Sequence, residues 1–451
     1  MSNIISSLFG SKGDDGNISN NKLPTHMDKK TIGSKITQNI DRMTKGLVAR
    51  DVQAKMLLLS ALAGENSLLF GPPGTGKSLL ARRLRLCFIE ACESDNGYFE
   101  CLLTKFSMPE EVFGPISLKS LEDDKYERVF ERHLPAATVA FIDETFKANS
   151  AILNSMLTIL NEREFDTGSR RVETKLRTVV GASNELPSES ELMALYDRFI
   201  IRLVVGRLSD DDLRDMFEQE PWSIEDLKNE NIEARLSEVE LNWIKKSSKK
   251  VIVPEEIDEL LVDLRNACAG QNPPIDISER RLTKMRSLLK VAAFTSGRDE
   301  VALIDAWILR HCAWHAEIQF KWISDWIDSR MDSNPHDLSD IMGRLKLEEK
   351  ALKKHQEKSA SGEHFTESEI NNFKSSIQQI YDDAEDAKVQ IEKRIQDIDL
   401  AIKESPWVPS GYATVVAKGL NTNLKSVVTI IDKVRLLLDE YRNMPRIEDK
   451  E

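Results

Sequence analysis

Eight consecutive residues, Gly71-Pro72-Pro73-Gly74-Thr75-Gly76-Lys77-Ser78, constrain this 451-residue chain more than any other stretch. They match GxxxxGK[ST] in full. Glycines let successive backbone N–H groups turn toward an anion where side chains would obstruct them. A helix opening behind the loop adds partial positive charge. The flanks supply that context. Ser67-Leu68-Leu69-Phe70 is a short apolar run, read as a buried strand, and residues 79–89 have helical spacing. The loop, with Leu79 behind it, is expected to cradle a nucleotide's phosphates. Lys77 would reach the β- and γ-phosphates, and the Ser78 hydroxyl would ligate Mg2+. A glycine-rich structural turn is the bland alternative, and the strand before and helix after it disfavour that reading.

Two further apolar runs, residues 138–142 and 178–182, also read as buried strands. Short strands alternating with helices predict a parallel α/β sheet covered on both faces. Asp143-Glu144 ends the first of these runs. One carboxylate there can hold the Mg2+ shell and the other can orient or deprotonate an attacking water; a solvated strand-end pair is the alternative. Asn184 follows the second run, at the carboxyl edge of the sheet where ligands bind. It is a candidate for positioning that water, although asparagine also favours turns.

The rest of the chain sets limits. With 62 lysines and arginines against 75 acids, the net charge is −13, which disfavours nonspecific nucleic-acid binding. Five cysteines, none in a CxxC pair, argue against a disulfide scaffold or zinc site and for a reducing, cytoplasmic setting. No run approaches the ~18 apolar residues of a membrane helix. Residues 1–30 read as a disordered arm. Residues 36–64 read as one helix, with Leu47, Val48, Ala54, Leu57, Leu58 and Ala61 on a face. Residues 163–177 read as a β-hairpin, either a surface feature or one aiming Arg163, Arg170, Arg171 and Lys175 at a pore. Beyond Leu208 the pattern is helical, with Trp307, Trp314, Trp322 and Trp326 near one helix face. Residues 337–358 and 367–404, joined by Ser359-Ala360-Ser361-Gly362, read as an antiparallel helical hairpin ended by Pro406 and Pro409. A last helix, 424–441, is expected to pack back on it.

GPPGTGKS, the strand ending FIDE, GASNELP and LYDRF together resemble AAA+ ATPases, most of all the MoxR branch and its RavA-like (regulatory ATPase variant) subfamily. Residues 50–66, 109–115 and 278–298 fit as well. The resemblance implies a P-loop αβα core at 31–206, an all-helical lid at 207–316 and a C-terminal helical, coiled-coil-like domain at 317–451. It implies that Lys77 and Ser78 are the Walker A pair and that Asp143 and Glu144 are the Walker B metal carboxylate and catalytic base. Asn184 matches the first sensor. Arg198 matches the arginine finger that acts on a neighbour's ATP, with Arg202 as a possible second. Arg280 matches the lid's second sensor, with Arg281 as runner-up. Gly46, Leu47 and Val48 resemble the segment that touches adenine. The hairpin at 163–177 and residues 112–131 resemble two insertions of this clade that lie near a ring's pore.

An arginine supplied in trans makes hydrolysis depend on assembly, so the resemblance implies a ring, a hexamer in this family. ATP would sit between core and lid. Hydrolysis would drive chaperone-like remodelling or maturation of a protein client, with a von Willebrand factor A domain protein as a possible partner. Some relatives carry a β-rich module in the C-terminal domain, where residues 355–405 here are helical; Trp407-Val408-Pro409 and 424–441 resemble the family's returning helices. Two rival readings are a nucleic-acid-stimulated motor and a nonhydrolysing ATP-gated scaffold.

Overall fold

The computed structural model describes residues 27–187, 189–331, 338–360 and 366–442. The expected arm lies outside the described residues as far as residue 26. Beyond it, the Asp28 carboxylate accepts from the Thr31 N–H at 2.6 Å and caps the helix Lys29–Thr44. The single helix expected over 36–64 is two, Lys29–Thr44 and Asp51–Ala63. Gly46 (φ 65°) and Ala49 (φ 53°) are left-handed, a backbone state that no right-handed helix accommodates. Leu47 and Val48 therefore belong to a loop.

A five-stranded parallel sheet follows: β1 (Asn66–Phe70), β2 (Tyr98–Leu102), β3 (Val139–Asp143), β6 (Thr178–Ser183) and β7 (Phe199–Val204), in the order β2-β3-β6-β1-β7. The first two apolar strands and the third fall where the sequence places them. The strands β2 and β7 were not expected. Arg202 interrupts the apolar run of β7, and β2 is a sheet-edge strand whose Glu100 pairs with Arg82 at 2.6 Å. Side chains leave the strands alternately for two cores. Leu69, Phe141 and Val180 enter one; Leu68, Ile142 and Val179 enter the other. Helices cover both faces, as the continuous apolar strands require.

Because every pair in the sheet is parallel, its two ends differ in kind. Phe70 is level with Ser183, and Leu102 with Asp143, at the carboxyl end. Asn66 is level with Phe199 at the amino end. The helix expected over 79–89 is Lys77–Arg85, followed by a turn and the short helix Ile89–Glu93.

The hairpin is present as β4 (Glu164–Asp166) paired with β5 (Arg171–Glu173). Arg163 does not face a pore. Its guanidinium donates to Gly64 O at 2.8 Å and to Asn66 Oδ1 at 3.2 Å, and burial pushes its pKa down to about 10.

The helices Glu238–Ser248, Glu255–Ala269 and Glu279–Thr295 form the next layer. The four tryptophans do not share one helix face. Trp307 lies in the 3-10 segment Leu303–His311, Trp314 in the following loop, and Trp322 and Trp326 on the helix Glu317–Met331. That helix packs on the 3-10 segment.

Three long helices close the chain: Leu338–Ala360, Glu367–Glu404 and Tyr412–Arg442. The first runs to Ala360, so Ser359 and Ala360 are helical; Ser361 and Gly362 lie outside the described residues. The last begins a dozen residues before the expected 424. Arg344 meets Asp383 at 2.6 Å and Glu348 accepts from Ser376 at 2.5 Å, which makes the first two antiparallel. Arg435 reaches Glu385 at 3.4 Å and Tyr441 packs on Phe373, so the third is antiparallel to the second.

Candidate nucleotide site

The phosphate loop lies at the carboxyl end of the sheet and is fastened to its neighbours by backbone. The Gly71 N–H donates to Ser183 O at 3.1 Å. A Cβ on Gly71 would lie 2.3 Å from Val205 O, so only glycine fits between β1 and the chain leaving β7. Gly76, left-handed at φ 88°, turns the loop into the helix Lys77–Arg85, which places Lys77 and Ser78 in its first turn. The Thr75 hydroxyl donates to Pro72 O at 3.0 Å, and the Lys77 ammonium donates to Gly71 O and Pro72 O, each at 2.8 Å. Burial lowers the pKa of Lys77, while the charges of Asp143 and Glu144 oppose that shift. The lysine and both carboxylates therefore share one electrostatic neighbourhood.

Asp143 is the last residue of β3 and Glu144 turns sharply away at φ 51°, a left-handed conformation rare for glutamate. The Glu144 N–H donates to Asp143 Oδ1 at 3.0 Å, and Glu144 lies 3.4 Å from Lys147. Thr145 locks this corner to the adjacent strand. Its hydroxyl donates to Ile142 O at 2.8 Å and accepts from the Ala182 N–H at 3.1 Å. Asn184 lies one residue past β6, exposed, between the end of β3 and the loop that follows β1. The Ser183 hydroxyl shapes that turn by donating to Glu185 O at 2.6 Å.

A cavity of about 530 Å³ opens beside the loop. Gly46, Leu47, Val48, Pro73, Gly74, Thr75, Gly76 and Leu79 line it, so the segment expected to touch adenine and the phosphate loop share one pocket. Arg50, Leu80, Arg207 and Leu208 line it too, and Leu213 and Met216, from the helix Asp210–Glu218, close one side.

Sequence reasoning missed the residues that shape this pocket. The Arg50 guanidinium donates to Ala49 O and Gly206 O, each at 2.8 Å, and its Nε reaches Thr75 O at 3.4 Å. It thereby ties the phosphate loop to the chain leaving β7, and burial lowers its pKa. Arg83, buried on the helix behind the loop, donates to Lys45 O at 2.6 Å, Met43 O at 3.1 Å and Trp222 O at 3.3 Å. A Cβ on Gly46 would lie 2.8 Å from Trp222 Cδ1, so the Gly46 turn rests against that indole. Arginines that bond only backbone carbonyls leave no pairing pattern in a sequence; a lone Trp222 in an acidic stretch leaves little more.

The arginines divide into two kinds. Arg198 precedes β7, and the Asn66 side chain donates to its carbonyl at 3.4 Å. It thus lies at the amino end of the sheet, with the whole of β1, about 16 Å at ~3.3 Å per residue, between it and its own phosphate loop. Its guanidinium donates to Asn161 Oδ1 at 3.0 Å and to Ala194 O at 2.9 Å. Burial and the adjacent charge of Arg280 lower its pKa. Arg280 is exposed beside it, at the start of the helix Glu279–Thr295, and does not line the pocket. One turn on, Lys284 pairs at 2.5 Å with Glu65. Arg280 thus lies apart from the pocket, whose wall beside the phosphate loop includes Arg207, Leu208, Leu213 and Met216.

The two runner-up arginines are structural. Arg202 is fully buried and donates to Phe199 O and Tyr196 O at 3.2 Å and to Trp314 O. Arg281 is also fully buried. It donates to Cys312 O at 2.6 Å, Ile200 O at 2.8 Å, Phe199 O at 3.0 Å and Asp197 O at 3.2 Å. Neither has a free face toward a ligand.

Residues 34–246 match the family model of the MoxR domain in the MoxR-vWA-beta-propeller ternary systems, and residues 256–327 match that of an AAA lid domain. Two uncharacterized proteins of Methanocaldococcus jannaschii are similar to the chain. One is 36% identical over 285 residues, covering 63% of this chain and 71% of the relative. The other is 34% identical over 288 residues, covering 63% and 72%. The crystal structure of a candidate ATPase from Cytophaga hutchinsonii shares the fold, with a TM-score of 0.50 at 18% identity over 67% of this chain and 95% of that one. A MoxR domain match followed by an AAA lid match, on a chain whose parallel sheet carries the phosphate loop at its carboxyl end, shows that the chain belongs to the MoxR family of AAA+ ATPases.

Proposed function

We propose that the chain is a Mg2+-dependent ATP hydrolase whose site is completed by a second copy. The observation that carries this is the position of Arg198 at the sheet's amino end, a strand's length from its own phosphate loop, with Arg280 beside it. On this reading neither serves the copy that bears it, and both serve a neighbour. Head-to-tail repetition of such a contact closes into a ring; the family resemblance sets it at six copies.

Within the site, Gly46, Leu47 and Val48 hold the base. Backbone N–H groups of residues 71–79 and the Lys77 ammonium hold the phosphates. Ser78 and Asp143 fit Mg2+, which takes hard oxygen ligands from one or two side chains together with substrate phosphates. Bound there, the ion offsets charge on the β- and γ-phosphates. Glu144 takes a proton from the attacking water, and Asn184 holds that water in line. Arg198 and Arg280 of the next copy stabilise charge on the equatorial oxygens in the transition state.

We read the units as a core at 31–206, a lid at 207–316 and a helical domain at 317–451, the last transmitting lid motion to a protein client in a chaperone-like role. The likeness to MoxR domains of vWA-containing systems supports a von Willebrand factor A domain partner. The motifs quoted above support the RavA-like branch. The free cysteines agree with a cytoplasmic setting.

The test is ATP turnover against protein concentration for the wild type, Glu144→Gln and Arg198→Ala, with particle size followed on the same samples. Turnover per copy that rises with assembly, and two variants that bind ATP without hydrolysing it, are expected. Turnover independent of assembly and of Arg198 overturns the shared site. ATP binding without wild-type turnover makes the chain a scaffold.

A further inference from the structure

The helix Asp210–Glu218, which walls the nucleotide pocket, has no buried residue. Leu213 and Met216 turn one side toward the pocket. Beyond them Phe217, 77% exposed, and Met216, 40% exposed, continue an apolar stripe onto the surface. The charges around the stripe are one-sided. Asp210, Asp211 and Asp212 occupy the first turn, where the helix dipole favours them. Asp215, Glu218 and Glu220 occupy and follow the last turn, where the dipole disfavours them and no basic residue answers. Arg214 pairs with Asp211 at 2.5 Å and offsets none of these. An unpartnered stripe rimmed by carboxylates at the unfavourable end of a helix calls for external cations.

The opposite end of the molecule supplies them. Lys245 and Lys249 are exposed on the helix Glu238–Ser248 and just past it, and Arg280 is exposed on the neighbouring helix. Burial, with repulsion from Arg177, Arg163, Lys284 and Lys249, lowers the pKa of Lys245, so these cations lie near one another; Lys284 is held by Glu65, which leaves Lys245 and Lys249 as exposed cations of this end. Val239, 41% exposed, adds an apolar contact on the same helix. This end borders Arg198, and the acidic helix borders the phosphate loop. A head-to-tail contact through Arg198 can therefore set the two surfaces against each other.

We infer that the face of Asp210–Glu218 bearing Met216 and Phe217 is the docking surface for a second copy's cationic end, with Asp215 and Glu218 set against Lys245 and Lys249. The inference rests on the shared-site reading above and names the contact that makes it. Loading the pocket and docking the neighbour then act on one helix, since Leu213 and Met216 meet nucleotide on one side while Phe217 and Glu218 meet protein on the other.

The test uses the full chain in two charge-reversed forms, Asp215→Lys/Glu218→Lys and Lys245→Glu/Lys249→Glu, neither touching the pocket-lining residues. Each alone places like charges opposite each other. The protein concentration for half-maximal turnover is expected to rise at least about ten-fold for each. In an equimolar mixture each reversed surface meets its complement around an alternating ring, and the concentration dependence is expected to return to within about three-fold of wild type. Recovery on mixing cannot come from two misfolded chains. If both variants keep the wild-type dependence while Arg198→Ala abolishes turnover, the ring stands and this docking surface falls. If each loses activity and the mixture does not recover, the docking surface also falls. If wild-type turnover is indifferent to concentration and to Arg198, the shared-site reading fails first and takes the inference with it.

Discussion

The indole N–H of Trp407 donates to the Thr295 hydroxyl at 2.9 Å, and both residues are buried. The bond joins the turn between the last two long helices to the end of the helix Glu279–Thr295, whose other end bears Arg280 and Arg281. Thr295 in turn donates to Val291 O at 2.7 Å, so the pair is anchored in helix backbone. Trp407→Ala removes a fully buried ring and should cost about 3–5 kcal/mol. Trp407→Phe keeps most of the apolar volume and removes the donor, for about 1 kcal/mol plus a small cavity cost. Urea unfolding of the two variants checks the order. Equal losses would mean that the hydrogen bond, rather than the packing, joins the two units.

Arg280 and Arg281 are adjacent in sequence and opposite in role, which gives a second prediction. Arg281→Ala removes a fully buried donor to four backbone carbonyls, of which Phe199 O keeps Arg202, and should destabilise the chain by about 3 kcal/mol or more. Arg280→Ala changes an exposed side chain, and stability should stay within about 0.5 kcal/mol, while turnover falls by roughly 10²–10³, the scale of losing one transition-state donor. Thermal melts paired with turnover separate the two. A stable Arg281→Ala that has lost turnover would exchange their roles.

Gly46 offers a test of the pocket itself. A methyl group there meets Trp222 Cδ1 at 2.8 Å and Glu220 O at 3.1 Å, on a backbone already at φ 65°. Gly46→Ala must push the 45–50 loop toward the space assigned to the base. ATP affinity should fall about ten-fold, some 1.4 kcal/mol, with the Glu144→Gln background used to hold hydrolysis off. Trp222 fluorescence is expected to report the displacement. Unchanged affinity would place the base elsewhere.

The site was more legible in the sequence than the fold around it, because phosphate binding uses a short contiguous motif while packing does not. Gly71, Gly76, Lys77, Asp143 and Asn184 fall at ends of apolar strands, and a run of four or five apolar residues is visible without context. The strand β7 was hidden because Arg202 sits in its middle, a charge made tolerable by the carbonyls of Phe199, Tyr196 and Trp314 and by the Tyr196 ring 3.7 Å beneath the guanidinium. The break between the first two helices was hidden for a related reason. Leu47 and Val48 keep helical spacing, but they serve the pocket, and the left-handed Gly46 and Ala49 that expose them carry no apolar signature. Choosing Arg280 over Arg281 required knowing which face of a helix is covered, and two consecutive arginines do not reveal that. The tryptophan stripe failed because spacing of seven, eight and four presumes an unbroken helix, whereas a 3-10 segment and a loop intervene.

His311 is expected to carry part of the chain's acid sensitivity. The ring is buried against Trp307 and Phe320, at 5.1 and 5.5 Å between centroids, and neither nitrogen has a hydrogen-bond partner among the described residues. Burial, aided by the charge of Arg310, pushes its pKa down from 6.5 to about 3. Burial likewise lowers His315, to about 4. In the unfolded chain these rings take up protons below about pH 6.5, while the folded chain does not until near pH 3–4. The unfolded state therefore binds more protons across that window, and stability falls as pH falls through it. By pH 5 the loss at His311 alone should be about 2 kcal/mol. Buried Asp305, bonded to Arg298 at 2.6 Å, has its pKa raised by burial and works in the opposite sense. The comparison must therefore be between wild type and His311→Phe. The variant's unfolding free energy should lose less than the wild type's between pH 7 and pH 5, by that same ~2 kcal/mol. Parallel pH profiles for the two proteins would show that His311 carries no part of the acid sensitivity.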